Sequence, residues 1–295
     1  MSIRILVSGT LLICTLSLVC HAVPTANGCT KHDTFPTTCN PFGSSAGSPA
    51  IDSVCGIGGA ATDAGELAQD KVKNNLCAAG ASHELTLPKL KALQEGIDQS
   101  GLIYGNRHVH PDLPPLPADR ASFFEKDHSD GFGEGDPVVF VGFIVDTKPG
   151  SPESVNCQCK PAAFNDIHVT LADHPLHLRR VPPGATTEER RQITRSNNRM
   201  LCRNAFTAEV IPHLRPAALE RASLNTLKNA KVMRVSGQLF FDASHHACKN
   251  NQPGSGDPAR ISSWEIHPIY DIKVCKKSTI ADCDANDASL WDALP

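Results

Sequence analysis

Two histidines and two glutamates occupy positions where a folded sheet could bring them together. Glu265 and His267 are two residues apart in the segment WEIHP, so in a strand both side chains point to the same face. His168 and Glu209 lie in two earlier segments that also alternate apolar and polar residues. Two imidazoles and two carboxylates can bind a divalent metal such as zinc, and an open position on the metal would activate water.

An ordinary polar sheet surface also accounts for these residues. The outer faces of small barrels are polar by default, Glu265 could pair with an arginine, and His267 could bond to nearby backbone. The spacing lacks the helix-borne H-E-x-x-H pattern of zinc proteases. The sequence therefore favours a solvent-facing ligand surface over a metal site, and it predicts no catalytic residue. This predicted ligand face comprises Asp166, His168, Glu209, Glu265 and His267.

The elements that must position these residues follow a strand-rich pattern after residue 136. Strands are predicted over 137–148, 165–173, 206–213, 231–246 and 260–275, with a helix over 215–231 between the third and fourth strands. This is the element order of an OB-fold, a five-stranded Greek-key barrel. In that fold the second, third and fifth strands are neighbours and form the usual ligand face. Pro268 predicts a bulge or kink in the last strand.

A small helical region precedes the predicted barrel. The stretch 61–80 is predicted to be helical, and a second helix begins after Thr86 as its cap and ends at Gly101. Thr186 and Glu189 predict a capping box, and so a short helix, inside the long insertion between the second and third strands. The predicted fold class is α+β. Its parts are a signal peptide (1–22), an N-terminal loop and helical region (23–104), a Pro-rich connector (105–135), an OB-like barrel (136–276) and a C-terminal tail (277–295).

The N-terminus predicts export. Arg4 supplies positive charge, residues 5–19 are mostly apolar, and Ala22 offers a small residue at a cleavage position, which is the pattern of a secretory signal peptide. No later segment approaches the roughly 20 apolar residues that a membrane span needs. The predicted location is therefore the periplasm or the outside of the cell.

Cysteine usage points to the same oxidising compartment. Ten cysteines follow the signal peptide, and an even number in an exported chain predicts disulfides. Four lie before residue 80 and six after residue 156, which suggests two separately stapled regions. The spacing leaves their pairing open. The candidates are Cys29, Cys39, Cys55, Cys77, Cys157, Cys159, Cys202, Cys248, Cys275 and Cys283.

The distribution of charge along the chain indicates which kinds of partner the protein could bind. The net charge is −3, yet residues 136–276 carry 18 Lys and Arg against 13 Asp and Glu. This half could tolerate an anionic partner, although it is far from the strongly basic surface of a dedicated nucleic-acid binder. Aromatic residues make up only 5% of the chain, which disfavours base stacking. The arginines concentrate in the 179–203 insertion.

Four segments together resemble a family of exported bacterial proteins that has no established activity. They are DKVKNNLCAAG (70–80), ESVNC followed by NDIHVTL (153–171), VSGQLFFDASHHAC (235–248) and RISSWEIHPIYDIKVC (260–275). The WEIHP motif is the most specific of these features. The resemblance implies a secreted protein with an OB-like domain, and it implies no substrate or cofactor.

The sequence thus predicts an exported binding or structural module that contacts an extracellular ligand. One alternative is a metal-dependent hydrolase, in which a divalent metal binds His168, Glu209, Glu265 and His267. Another is an oligonucleotide or oligosaccharide binder that uses the same face and the 179–203 insertion. A hydrolase predicts that the four residues converge beside a pocket. A polyanion binder predicts arginines along one groove, and a structural module predicts four side chains that diverge into solvent.

Overall fold

A computed structural model describes residues 28–30, 33–47, 49–105, 120 and 131–294. The predicted signal peptide and most of the predicted Pro-rich connector lie outside the described residues. None of the helices in the described part of the chain is long and apolar enough to span a bilayer.

Five of the seven strands close into a barrel. The strands are β1 (His83–Leu85), β2 (Pro137–Pro149), β3 (Ile167–Ala172), β4 (Phe206–Val210), β5 (Met233–Phe241), β6 (Trp264–Cys275) and β7 (Trp291–Ala293). Around the barrel the order is β2-β3-β4-β6-β5, and β5 pairs with β2 to close it. β4 runs parallel to β6, whereas the other neighbours around the barrel are antiparallel. This is the OB-fold order, so the predicted fold class is confirmed.

Alternation along the strands separates a barrel core from an outer face. In β3, Ile167, Val169 and Leu171 are buried in the main core, as the period-two pattern predicts. In β6, Trp264 and Ile266 point into the same core. The intervening residues on these strands therefore point to the outer face.

The pairing of β5 with β6 is irregular around Gly237. Pro268, which follows a cis peptide bond, lies opposite a break in the β5–β6 register around Gly237, so the predicted irregularity is confirmed. A side chain at Gly237 would collide with the Pro268 carbonyl oxygen and with Ile266, which explains the glycine at this position. Beyond the break, Ile269 continues the core row in place of Pro268.

Four α-helices lie within the described segments, namely α1 (Ala64–Lys73), α2 (Leu87–Ser100), α3 (Thr187–Asn204) and α4 (Arg221–Asn225). α2 begins and ends as predicted, and α3 begins at the predicted capping box but is longer, at 18 residues, than the short helix expected. The Thr86 side chain caps α2, and Gly101 ends it in the left-handed conformation at φ 74°. The capping box of Thr186 and Glu189 at the start of α3 is present in both directions.

Two predicted helices are shorter than expected. The prediction of one helix over 215–231 is wrong, because only a 3-10 turn (Ala217–Leu219) and α4 form there. Glu220 between them has an extended backbone, and Asn229 adopts φ 53° and bonds to both backbone groups of Leu176 through its side chain. α1 ends at Lys73 rather than near Gly80, since the Asn74 side chain donates instead to two loop carbonyls.

All ten predicted cysteines pair, but they do not form two separate sets. The bonds are Cys29–Cys159, Cys39–Cys77, Cys55–Cys157, Cys202–Cys248 and Cys275–Cys283. The first and third join the N-terminal region to the loop after β2, so the expectation of two separately stapled regions is wrong. These two bonds close loops of 130 and 102 residues, each of which lowers the entropy of the unfolded chain by an amount worth about 4–5 kcal/mol.

Candidate functional site

The four predicted site residues converge on the outer face of the barrel. His168 on β3 is the register partner of Glu209 on β4, and β4 pairs with β6 at Ala208 and Ile266. This register places Glu209 beside His267. The His267 Nδ1 atom lies 3.4 Å from Glu209 Oε2 and 3.8 Å from Glu265 Oε2, and His168 Nε2 lies 3.6 Å from Glu209 Oε1.

Most of this face is covered. Glu209, Glu265 and His267 are 6%, 1% and 0% exposed, so the prediction of a solvent-facing sheet surface is wrong for these three residues, whereas the His168 side chain keeps 32% of its surface exposed. The cover is α1 together with the loop after β2. Gln238 on β5 donates to the Val72 carbonyl of α1, which ties the helix to the outer face of the barrel.

Asp166 completes a group of possible metal ligands. One carboxylate oxygen of Asp166, one of Glu209 and one imidazole nitrogen of His267 all lie within 4.8 Å of one another, and all three residues are buried. Carboxylate oxygen and imidazole nitrogen are ligands of zinc and of other divalent transition metals. Glu265, which the sequence assigned to the metal, is instead bonded to Arg260 through Oε1.

Several polar atoms in this group have no hydrogen-bond partner within the described part of the chain. They are both carboxylate oxygens of Asp166, Glu209 Oε2, Glu265 Oε2, His168 Nε2 and both ring nitrogens of His267. The histidine–carboxylate approaches given above are charge-pair distances that lack hydrogen-bond geometry. Buried polar atoms are paired in the great majority of proteins, because each unpaired one costs about 1–3 kcal/mol. A concentration of this kind points to a ligand.

Carboxylates outnumber fixed cations around the same atoms. We define the acidic cluster as six carboxylates and two fixed cations, namely Asp70, Glu153, Asp166, Glu209, Asp242, Glu265, Lys73 and Arg260. Lys73 pairs with Glu153 at 3.1 Å, and its charge also acts on Glu209 and Asp166. Two cations cannot balance six ionised carboxylates in a covered site.

The pKa values of the buried groups are shifted by their burial and by these neighbouring charges. Burial raises the pKa of Asp166 to about 7, although Lys73 opposes the shift. Burial and the neighbouring charge of Glu265 raise the pKa of Glu209 well above its usual range. Burial lowers the pKa of His267 well below its usual range, and the Lys73 charge adds to this effect. At neutral pH His267 is therefore a neutral imidazole, which is the form that binds a metal.

Arg260 organises the opposite side of the cluster. Its guanidinium donates to Asp242 Oδ2 at 2.8 Å and to Glu265 Oε1, and it is 1% exposed. Burial alone would raise the pKa of Asp242, but Arg260 and His245 together hold it well below its usual range. The His245 Nδ1 atom lies 2.8 Å from the same Asp242 oxygen. Asp242 is thus ionised at neutral pH.

A polar cavity of about 430 Å³ opens against the cluster. Asp70, Lys73 and Glu153 line one part of it, and Asp242 and His245 line another. Lys73 and Asp242 connect the cavity to the buried group, because their charges act on Glu209 and Glu265. The charges of the acidic cluster would therefore act on a ligand in this cavity.

Sequence reasoning missed the residues that cover and balance the site. Asp70 and Lys73 come from α1, Glu153 from the loop after β2, and Asp242 and Arg260 flank β5 and β6. The sequence contained two relevant signals. β6 carries a row of polar residues, and the first predicted strand of the barrel, β2, is so apolar that another element must cover it. A single sequence does not show which polar face the cover hides.

Comparisons with protein-family models, with curated proteins and with solved structures find no match to this chain. The geometry of the site therefore carries the functional argument.

Asp70 predicts how the stability of the metal-free protein depends on pH. Burial raises its pKa from 3.8 to about 8; Lys73 and Ser154 lower the pKa, and Glu66 and Glu153 raise it. Between about pH 4 and pH 8 the unfolded chain releases a proton that the folded protein keeps, so the free energy of unfolding falls as the pH rises. Below and above that window Asp70 contributes no slope. Urea unfolding with a chelator present should show higher stability at pH 5 than at pH 8.

The matched variants separate Asp70 from other acids. Asp70→Asn should flatten the slope, whereas the exposed Asp292→Asn should leave it unchanged. Equal slopes in the wild type and in Asp70→Asn would contradict the assignment.

Proposed function

We propose that this protein is an exported binding module whose ligand is a divalent metal ion, zinc in the first instance. Asp166, Glu209 and His267 would hold the ion on the covered outer face of the barrel. His168 is next to this group and is the candidate for a fourth ligand. The metal would supply a positive charge and a Lewis acid at this point.

The observation that carries the proposal is the donor group itself. Three ligand atoms, from the residue before β3, from β4 and from β6, lie within 4.8 Å of one another. Atoms that bind one zinc ion at about 2.1 Å are about 3.4 Å apart at the tetrahedral angle. The 3.4 Å between His267 Nδ1 and Glu209 Oε2 matches this separation.

Charge and hydrogen bonding support the same ligand. A dication would offset part of the excess of six carboxylates over Lys73 and Arg260, and it would give Asp166 and His267 the partners they lack among the described residues. The alternative is that Asp166 and Glu209 stay protonated, as their raised pKa values allow in the absence of a metal. Metal binding is then linked to the release of these protons.

Export is supported by the chemistry of the cysteines. Five disulfides join residues across the chain, and such bonds persist in oxidising compartments. The signal-peptide pattern and the resemblance to an exported bacterial family favour the same location, the periplasm or the outside of the cell.

Hydrolysis is the second candidate function, and the cavity favours it. A zinc ion held by Asp166, Glu209 and His267 alone would keep a fourth position for water and would lower the pKa of that water. The cavity of about 430 Å³ brings Lys73 and His245 to the same region. Lys73 would attract an anionic group of a substrate, and His245 would hold or release a proton next to Asp242.

Metal stoichiometry tests the proposal. The purified, oxidised protein should be dialysed against zinc or manganese and analysed by inductively coupled plasma mass spectrometry. We expect one metal ion per chain in the wild type. Asp166→Asn, Glu209→Gln and His267→Ala should each weaken binding by at least the roughly 10- to 100-fold that the loss of an outer-shell partner costs.

An exposed pair of the same residue types provides the control. His174 Nδ1 lies 2.6 Å from Asp173 Oδ1 on the surface, so Asp173→Asn/His174→Ala removes a similar pair outside the site. This control should bind metal like the wild type. Absence of bound metal in the wild type, or equal loss in the control, would overturn the proposal.

A further inference from the structure

A second charged surface lies on the long helix α3, in the insertion between β3 and β4. Residues 174–205 carry seven arginines, no lysine and two glutamates. All seven arginines are exposed. They are Arg179, Arg180, Arg190, Arg191, Arg195, Arg199 and Arg203.

These arginines have no carboxylate partners in the part of the chain that the structure describes. Among the described residues, no ion pair within 4.0 Å involves any of them. The two nearby glutamates are engaged elsewhere: Glu189 caps the helix, and Glu188 accepts from Gln192. The positive charge of α3 is therefore available to a partner.

Four of the arginines form one row along the helix. Arg191, Arg195, Arg199 and Arg203 are spaced at i and i+4, so successive side chains are about 6 Å apart along the axis. The last three line an open pocket whose described lining residues all belong to α3. Like charges at this spacing destabilise a helix by about 0.2–0.5 kcal/mol per pair. The row therefore opposes helix formation, and folding of α3 does not explain it.

The helix that carries this row is held at both ends. Its N-terminus has the capping box of Thr186 and Glu189, and Cys202 near its C-terminus is bonded to Cys248. Leu201 packs against the outer side of β2 and β3. The basic segment around Arg179 is fixed next to α3. The Asn197 side chain accepts a hydrogen bond from the Arg179 backbone N–H and donates one to the Arg179 carbonyl, both at 2.9 Å. The charged row is thus ordered before any partner binds.

We propose that α3 is a docking surface for an extended anionic polysaccharide, whose carboxylate or sulfate groups pair with the row of Arg191, Arg195, Arg199 and Arg203. A guanidinium binds such groups through two parallel hydrogen bonds, which suits a row made of arginine alone. Residues 174–205 contain no Phe, Tyr or Trp. Single-stranded nucleic acids bind largely by stacking bases on such rings, so the composition favours a polysaccharide over a nucleic acid.

Binding of a labelled heparin oligosaccharide to the full oxidised protein tests this surface. Fluorescence anisotropy should show binding that weakens as the NaCl concentration rises. The variant Arg195→Gln/Arg199→Gln/Arg203→Gln should weaken binding at least tenfold. Replacing the same three arginines with lysine should give an intermediate loss, because the charge stays while the two-bond contact is lost.

A charge-matched variant and a second probe decide the outcome. Arg221→Gln/Lys249→Gln/Lys277→Gln removes three exposed charges elsewhere and should change the affinity less than twofold. An equal loss in both glutamine variants would overturn the docking surface. Tighter binding of a single-stranded oligothymidylate than of the heparin oligosaccharide would overturn the assignment to a polysaccharide.

Discussion

Replacing Arg260 with methionine should lower the free energy of unfolding by about 3–5 kcal/mol. The guanidinium is buried and bonds to Asp242 and Glu265 at once. Its removal leaves Asp242 and Glu265 in a covered site without the cation that both of them contact. Urea unfolding with the disulfides intact and a chelator present measures the loss.

Two further variants test the reason for this loss. Arg260→Met/Glu265→Gln should recover part of the stability, with a coupling of about 0.5–3 kcal/mol, because one of the two buried acids that have lost Arg260 is replaced by a neutral side chain. Arg221→Met, which changes an exposed arginine, should stay within about 0.5 kcal/mol of the wild type. A loss below about 1 kcal/mol in Arg260→Met would mean that the contacts of Arg260 with these carboxylates do not stabilise the fold.

Glu209→Gln should change stability in opposite directions with and without metal. In the metal-free protein the raised pKa of Glu209 keeps it protonated when folded and ionised when unfolded, which costs stability at neutral pH. Glutamine removes this cost, so the metal-free variant should be more stable than the wild type at neutral pH.

With metal bound, the wild type should instead be more stable than the Glu209→Gln variant. At a metal concentration of 100 times Kd the wild type gains about 2.7 kcal/mol, and the variant gains little because it has lost a ligand. Thermal and urea unfolding with a chelator and then with zinc measure both states. The exposed Glu95→Gln should follow the wild type in both. Equal zinc stabilisation of the wild type and Glu209→Gln would exclude Glu209 as a ligand.

The barrel could be predicted from the sequence because its determinants are local. Apolar residues alternate with polar ones in β3 and in β6. This alternation identifies both strands, and it identifies their inner faces through Ile167 and Val169 in β3 and through Trp264 and Ile266 in β6. The caps at Thr86 and Thr186 likewise lie within a few residues of the helices that they start. Element order then led to the OB-fold.

The site could be predicted only in part, because its properties depend on contacts between distant segments. The strand periodicity of β6 put Glu265 and His267 on one face, and the fold brought His168 and Glu209 to it. Burial of that face depends on α1, which lies about 100 residues or more away in the chain from each of them. The disulfide Cys55–Cys157, which crosses between the predicted halves, has the same long-range origin.

Anomalous diffraction from crystals grown with zinc tests the central claim most directly. Data collected on both sides of the zinc absorption edge locate the metal without reference to activity or stability. We expect one strong peak about 2.1 Å from oxygens of Asp166 and Glu209 and from a ring nitrogen of His267. If crystals grown from a zinc-containing solution show no anomalous peak among these three side chains, the metal site is contradicted.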